Sequence, residues 1–438
     1  MFNFIRIKKL QLIAFLAFST VSYSQQKVEL TVEEIFQLAV EKHPQLKINQ
    51  QQIVLAEQQK NITKLNQLPS ITAAATASYI GDVELLNPDF SKLATQPMPH
   101  FGNSFNLQAT ELIYKGGLVK KSLEANSLQI ELAQLNLEKD EQAIKKLILS
   151  YFLDSYKLAN QIKIYTNNLQ LANKRLTNIS HFYKQGMITR NEVLRAELMV
   201  KSFEQALLSV NNSKQIIDYN IALVLDYPLD TSFNFIPSDQ YKNGLEPKEF
   251  YLEKAFTQHP SLKTLQKQML LTDKQIEMIK TDYYPTVALF AGFNSQRPVT
   301  TRVPALDLYA NAWQTGVSVA YNLDNLYKTK EKKKLGKMQK QQVENSTALL
   351  IQNVEMSVNA AFIKYQEAIQ QLSLVQKSKT LAEENYKIME AKYLNQLAIQ
   401  TEMVDASNTK LETELNLINA EINIIAQYYQ LIYTTGTL

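Results

Sequence analysis

From Ile144 to Tyr183 apolar residues recur in steps of four and three: Ile144, Ile148, Tyr151, Ser155, Leu158, Ile162 and onward to Leu176, Ile179 and Tyr183. The spacing returns 210 positions later, from Val354, Val358, Ala361 and Tyr365 to Ala382, Tyr386, Met389 and Tyr393. Ser155 and Lys379 are the two polar positions in these stripes. A strict seven-residue repeat keeps one seam against a neighbour only when the helix supercoils to the left. Two such stripes at matched positions predict a duplicated protein built on long helices.

The duplication reaches beyond the stripes. His43-Pro44-Gln45-Leu46-Lys47 matches His259-Pro260-Ser261-Leu262-Lys263, and Pro69 matches Pro285, both 216 positions apart. The fall from 216 to 210 places six extra residues in the first copy, and the Pro/Gly/Asn-rich stretch Gly81 to Asn103 is where a loop absorbs them. Each copy opens with a short helix, Val32 to Lys42 and Pro247 to Gln258, and continues in a second, Gln45 to Gln67 and Ser261 to Asp282. Proline then ends the helix. The expected first repeat is 25–245, with strands at about 69–81 and 101–114 and long helices at 118–184 and 190–225. The expected second repeat is 246–438, with strands at about 285–297 and 309–322 and long helices at 329–394 and 400–433. Asp226 to Gly244 reads as the linker.

The strand segments alternate with period two. Val287, Leu289, Ala291 and Phe293 share one face, as do Trp313, Thr315, Val317, Val319 and Tyr321, opposite Gln314, Gly316, Ser318, Ala320 and Asn322. This fits a half-buried strand of a soluble sheet, and equally a transmembrane strand with lipid on one side and water on the other. In the second case Trp313 and Tyr321 are candidates for the two aromatic girdles. Four strands cannot close a barrel with a lumen, and lipid does not tolerate bare edges, so the membrane reading requires several chains in one barrel. Leu118 to Lys184 is 67 residues, roughly 100 Å of helix at 1.5 Å per residue.

Composition narrows the choice. Only 10 glycines and 12 prolines in 438 residues suit long helices. Met1 to Ser24 has a basic start (Arg6, Lys8, Lys9), an apolar run Leu10 to Val21 and small residues at Ser22 and Ser24, which predicts a secretory signal peptide cleaved after Ser24. Without that leader the balance is 43 Lys+Arg to 42 Asp+Glu, which offers nothing to nucleic acid. There is no cysteine, hence no disulfide and no lipid anchor on an N-terminal Cys. The mature chain has no run of 18 apolar residues, so a membrane crossing must be made by strands. The four histidines (His43, His100, His181, His259) lack metal-ligand spacing, and His43 and His259 precede prolines at matched turns, where structural hydrogen bonds are expected. Gly116-Gly117 with Lys120-Lys121-Ser122 lacks the spacing of a phosphate loop, and no nucleophile elbow is present. No catalytic residue, metal or cofactor is expected, and the protein does not read as an enzyme.

Three segments carry a family resemblance. They are Leu30-Thr31-Val32-Glu33-Glu34-Ile35-Phe36-Gln37-Leu38-Ala39 with His43-Pro44, then Glu111-Leu112-Ile113-Tyr114-Lys115-Gly116-Gly117, and Tyr183-Lys184-Gln185-Gly186-Met187-Ile188-Thr189 with Glu192, Val193, Leu194 and Ala196. In this order, and duplicated, the chain from Leu30 to about Gly436 resembles the outer membrane efflux protein (TolC) family. The resemblance implies a mainly α protein with a transmembrane β part. A homotrimer would build a 12-stranded β-barrel in outer-membrane lipid and a periplasmic α-barrel. It also implies a periplasmic adaptor, an inner-membrane transporter, and a duct for drugs or other small molecules. Type I protein secretion or metal export would use the same kind of duct, and a secreted coiled-coil scaffold is the reading without a membrane part.

By the same resemblance Glu402 and Asp405 stand where the family places lumen-facing acids near its periplasmic mouth. Three residues apart, they share a helix face, and in a trimer would form a ring of carboxylates attracting cations. Tyr393 and Glu192 resemble a link that holds the mouth shut. Ala398 stands where an arginine link is usual, and Arg195 is the candidate partner of Glu402 or Asp405 instead. Lys328, Lys330, Lys332, Lys333, Lys334, Lys337 and Lys340 crowd the start of a long helix, where cations oppose the macrodipole. They form either a solvated face or, just below the barrel, a contact with phospholipid head groups.

Overall fold

A computed structural model describes residues 27–237, 244–302 and 304–438. The expected signal peptide lies outside the described residues, as do 238–243 of the expected linker. The chain divides into two compact units that do not follow the duplication. One takes Lys139–His259 and Asn353–Leu438 together with the chain up to Lys47; the other takes Ile48–Glu138 and Pro260–Gln352. Each unit therefore draws on both halves of the sequence.

The helices repeat as pairs. Val32–Lys42 (α1) has its counterpart in Lys248–Gln258 (α5), and Pro44–Leu65 (α2) in Pro260–Lys280 (α6). Leu118–Lys184 (α3) and Arg190–Leu225 (α4) correspond to Asn325–Leu394 (α7) and Gln400–Thr434 (α8). Local chemistry explains the starts and stops. Thr31 caps α1 by a reciprocal pair with Glu34: the Thr31 hydroxyl oxygen accepts from the Glu34 N–H at 3.4 Å, and Glu34 Oε2 accepts the Thr31 N–H at 2.8 Å. These bonds hold the Glu34 carboxyl below the usual range. At His43 the ring Nδ1 accepts the Gln45 N–H at 3.2 Å, the structural hydrogen bond its place before Pro44 predicts.

The turn between α3 and α4 is closed by Gly186 at φ +72°. Gln396, 210 positions on, takes φ +60° at the same point between α7 and α8. In both, the next N–H bonds five residues back, Met187 to Phe182 (3.0 Å) and Leu397 to Lys392 (2.8 Å). Glycine is at ease in this left-handed conformation and glutamine is strained.

The heptad stripe becomes the buried seam of the first unit. On α7, Val354, Val358, Ala361, Tyr365, Ala368, Ala382 and Tyr386 are buried while their neighbours on either side are mostly exposed. The polar breaks have partners. Ser155 donates to Asp218 Oδ1 at 2.9 Å, inside a network in which Lys214 reaches Asp218 Oδ2 (2.6 Å) and the Phe233 carbonyl (3.0 Å). Lys379 pairs with Glu383 at 3.2 Å.

Four strands were expected, and Ser70–Tyr79 (β2), Phe101–Tyr114 (β5), Thr286–Arg297 (β7) and Ala310–Ala320 (β8) form one antiparallel sheet in the order β2-β5-β7-β8. Four more strands correct the expectation. Val83–Leu86 (β3) and Lys92–Gln96 (β4) make a hairpin inside the segment read as a loop. Lys27–Thr31 (β1) pairs in parallel with Ser232–Ile236 (β6), within the segment read as a linker. The reason is burial. Phe233 and Phe235 are 2% and 3% exposed, with ring centres 5.9 and 5.7 Å from that of Phe152. The period-two pattern Ser-Phe-Asn-Phe-Ile was present, but five residues are too few to stand out beside prolines.

The strand-to-helix turn after β5 explains the Gly116-Gly117 motif. Both have positive φ, +57° and +76°. A Cβ on Gly116 would lie 2.6 Å from Tyr284 Cδ2 and 3.2 Å from the Thr281 Cα. Conformation and space both exclude a side chain there.

Candidate functional site: the hairpin tips and the two-faced sheet

The tips of the helical hairpins belong to the first unit. Ile179, Val193 and Ala196 form a small buried cluster, and Tyr393 packs against it from the second hairpin. Burial, and then the nearby Glu192 carboxylate, push the Tyr393 hydroxyl up from its ordinary pKa. One direct tie between the hairpin tips is Gln400 Nε2 donating to the Glu192 carbonyl at 2.9 Å. Glu192 thus contributes its backbone oxygen to this tie.

Glu402 and Asp405 are both exposed on the first turns of α8. Glu402 Oε2 accepts the Ile399 N–H at 3.0 Å, so this acid is also the helix cap. Arg195 on α4 and Asp405 on α8 line one cleft of about 580 Å³, walled by Leu198, Met199, Phe203 and Val404. The expected pairing of Arg195 with Glu402 or Asp405 is absent among the described residues; the ion pair at this tip is Arg190 with Glu197, at 3.5 Å. An exposed arginine gains little by fixing its long side chain on one partner while water competes for both.

A polar cluster beside the seam was not visible in the heptad pattern. Arg175, the one arginine of α3, donates to the Tyr386 hydroxyl at 3.1 Å, and Tyr386 donates to Glu390 Oε1 at 2.9 Å. Lys410 Nζ lies 5.3 Å from the Tyr386 ring centre and 2.7 Å from Glu414 Oε1, whose other oxygen accepts from Asn168 at 3.1 Å. The cluster joins α3, α7 and α8. Burial, then the bond to Glu390, push the Tyr386 hydroxyl up, against the pull of Arg175. A lone arginine next to an apolar stripe was the available signal.

The sheet belongs to the second unit. Its register puts Ile71, Ala73 and Ala75 beside Ala109, Leu107 and Phe105, then Ala291 and Phe293, then Thr315 and Trp313, with Leu289 and Val287 beside Val317 and Val319. This apolar face is open in the single chain: Ile71 is 68%, Trp313 78% and Val319 68% exposed. The other face carries Thr72, Thr76, Ser104, Asn106, Gln108, Asn294, Gln314 and Ser318. Phe290 is its aromatic exception, lying against Gly316. Trp313 lies within β8, and Tyr321 one residue beyond its end. They are eight positions apart, about 26 Å of extended chain. Both outer strands, β2 and β8, keep one edge unpaired.

Among the described residues no helix is long and apolar enough to cross a membrane, and no three His, Cys, Asp or Glu side chains group as metal ligands. No curated protein matches the sequence. Solved structures do. The outer-membrane channel OprN aligns with a TM-score of 0.76 at 13% identity, covering 93% of this chain and 90% of that one. The outer membrane protein VceC from Vibrio cholerae aligns at 0.74 and 14% identity, covering 92% and 96%. CusC, whose structures concern folding and transmembrane channel formation, aligns at 0.77 and 14% identity, covering 96% of both chains. At such identities the likeness establishes the fold. The model of the outer membrane efflux protein family matches residues 35–225 and again 251–437, nearly the whole described chain. This protein belongs to the outer membrane efflux protein family.

Proposed function

We propose that three copies of this chain form the outer-membrane duct of a tripartite efflux pump, carrying drugs or other small molecules from a periplasmic adaptor and an inner-membrane transporter to the exterior. The observation that carries the reading is the four-stranded sheet with two unpaired edges, one apolar face and one polar face. Unpaired backbone groups cannot face lipid, so β8 of one copy must meet β2 of the next until the sheet closes. Twelve strands then present the apolar faces to the membrane and the polar faces to a water-filled lumen. Trp313 and Tyr321 serve as the two interfacial girdles. The duct itself performs no bond chemistry.

The chain has no cysteine, so single cysteines placed on β2 and β8 test the closure directly. A covalent trimer, and steady conductance in planar bilayers, are the expected results; a monomeric species in detergent with no conductance would reject the duct. Cargo is tested separately. Deletion should sensitise cells to small toxic compounds, whereas loss of one secreted protein with unchanged drug tolerance would favour protein secretion.

In this duct the exposed Glu402 and Asp405 form the acidic ring of the periplasmic mouth, with Tyr393 and Glu192 at the contact between hairpins and Arg195 beside the ring. Asp405→Asn leaves the helix cap intact and should lower cation preference in single-channel recordings. Unchanged selectivity in both Asp405→Asn and Glu402→Gln would remove the ring from the mechanism.

A further inference from the structure

Six of the seven lysines at the start of α7 fall into two sets. Lys332 pairs with Asp282 at 2.8 Å and Lys340 with Asp273 at 2.9 Å, on the side of α7 where Gly336 lies against Ile276 of α6. Lys328 pairs with Asp324. Lys330, Lys334 and Lys337 are exposed and, among the described residues, have no acidic partner. Their spacing of four and three puts them on one helix face, centred away from Lys332 and Gly336. Leu326 and Tyr327, four and three residues before Lys330, continue that face toward the sheet and are 61% and 65% exposed. Leu323, just before the helix, is 72% exposed.

A single line from β8 into α7 therefore runs from an open apolar sheet face, through exposed Leu and Tyr side chains, to a row of unneutralised lysines. Lys330 to Lys337 covers about 10 Å of helix. That is close to the depth of one head-group layer, roughly 5 to 8 Å beyond the hydrocarbon on each side. The three lysines lie beyond the first turn of α7, so the helix dipole neither favours nor opposes them strongly, and their charge is open to an external anion.

We propose that Lys330, Lys334 and Lys337 bind the anionic head groups of the membrane leaflet that borders the helices, with Leu326 and Tyr327 seated at its hydrocarbon edge. The site anchors the sheet at a fixed depth and makes the protein prefer acidic phospholipid. It rests on the membrane-facing sheet and is independent of cargo.

The test uses the full-length protein in nanodiscs of phosphatidylcholine with or without phosphatidylglycerol, followed by native mass spectrometry of the released protein and by single-channel recording. The wild type should retain several-fold more phosphatidylglycerol than phosphatidylcholine, less so at raised salt. The triple change Lys330→Gln, Lys334→Gln, Lys337→Gln should abolish the preference with conductance and ion selectivity unchanged. Lys332→Gln with Lys340→Gln, in the paired set, should leave it intact. Equal retention of both lipids by the wild type overturns the proposal. So does a triple variant that keeps its lipid but changes ion selectivity, since the lysines would then line the lumen. Conductance in every sample separates these failures from failure of the duct itself.

Discussion

Lys214 and Asp218 are 2.6 Å apart with side chains 14% and 10% exposed, and Ser155, Ser232 and the Phe233 carbonyl complete their hydrogen bonding. Removing one partner of a buried pair strands the other charge, at a cost of about 3–5 kcal/mol. Asp218→Ala should therefore lower the thermal midpoint sharply in detergent. Ser155→Leu, which perfects the heptad, should also destabilise, because Asp218 loses a donor. Glu421 gives a pH-dependent case. Burial holds its carboxyl above the usual range, against the pull of Lys379. The folded chain thus binds this proton more tightly than the unfolded chain, so stability is retained at acid pH and falls as pH rises above the ordinary Glu value. Glu421→Gln should raise the midpoint at pH 8 and leave it unchanged at pH 4. Neither site was legible in sequence. Ser155 showed only as a gap in the stripe, and nothing near it named Asp218, 63 residues away.

At the scale of single elements, the hairpin tips show what periodicity determines and where it stops. The bounds of α3 and α4 follow from the stripe, from Gly186 and from the proline and glycine breaks, all of them local. Their twin in the second copy closes through Gln396 in the same left-handed conformation, at φ +60°. Left-handed backbone costs a side chain roughly 1–2 kcal/mol. Gln396→Gly should stabilise this tip by about 1 kcal/mol, visible as slower amide exchange at Leu397 and Asn395, whereas Gly186→Gln should have the opposite sign at the first tip. Glu402→Ala should remove the bond to the Ile399 N–H and fray the first turn of α8 by about 1 kcal/mol. Exchange at Ile399 to Met403 reports it, and unchanged exchange would deny Glu402 the capping role.

At the scale of the molecule, the duplication and the compact units cut the chain differently. The first half supplies β2 and β5, the second β7 and β8, and the sheet is continuous only because β5 pairs with β7 over eleven residue positions from Asn103 to Tyr114. Residues 246–438 expressed alone should therefore leave their two strands open to protease in detergent, and coexpression with 25–245 should restore protection. Protection of the isolated half would overturn this view of the sheet. The sequence by itself determined the long helices, their turns, the two copies and the alternation of the strands, because each depends on spacings of two to seven residues that the chain displays directly. It also carried the family resemblance, since those turns recur in a set order. Only the tertiary structure decided which strand lies beside which, that β1 and β6 pair in parallel, that Arg175 meets Tyr386, and which lysines of α7 find acids. Those partners come from segments dozens to hundreds of residues apart, and their choice depends on shape and charge that meet only once the backbone has folded.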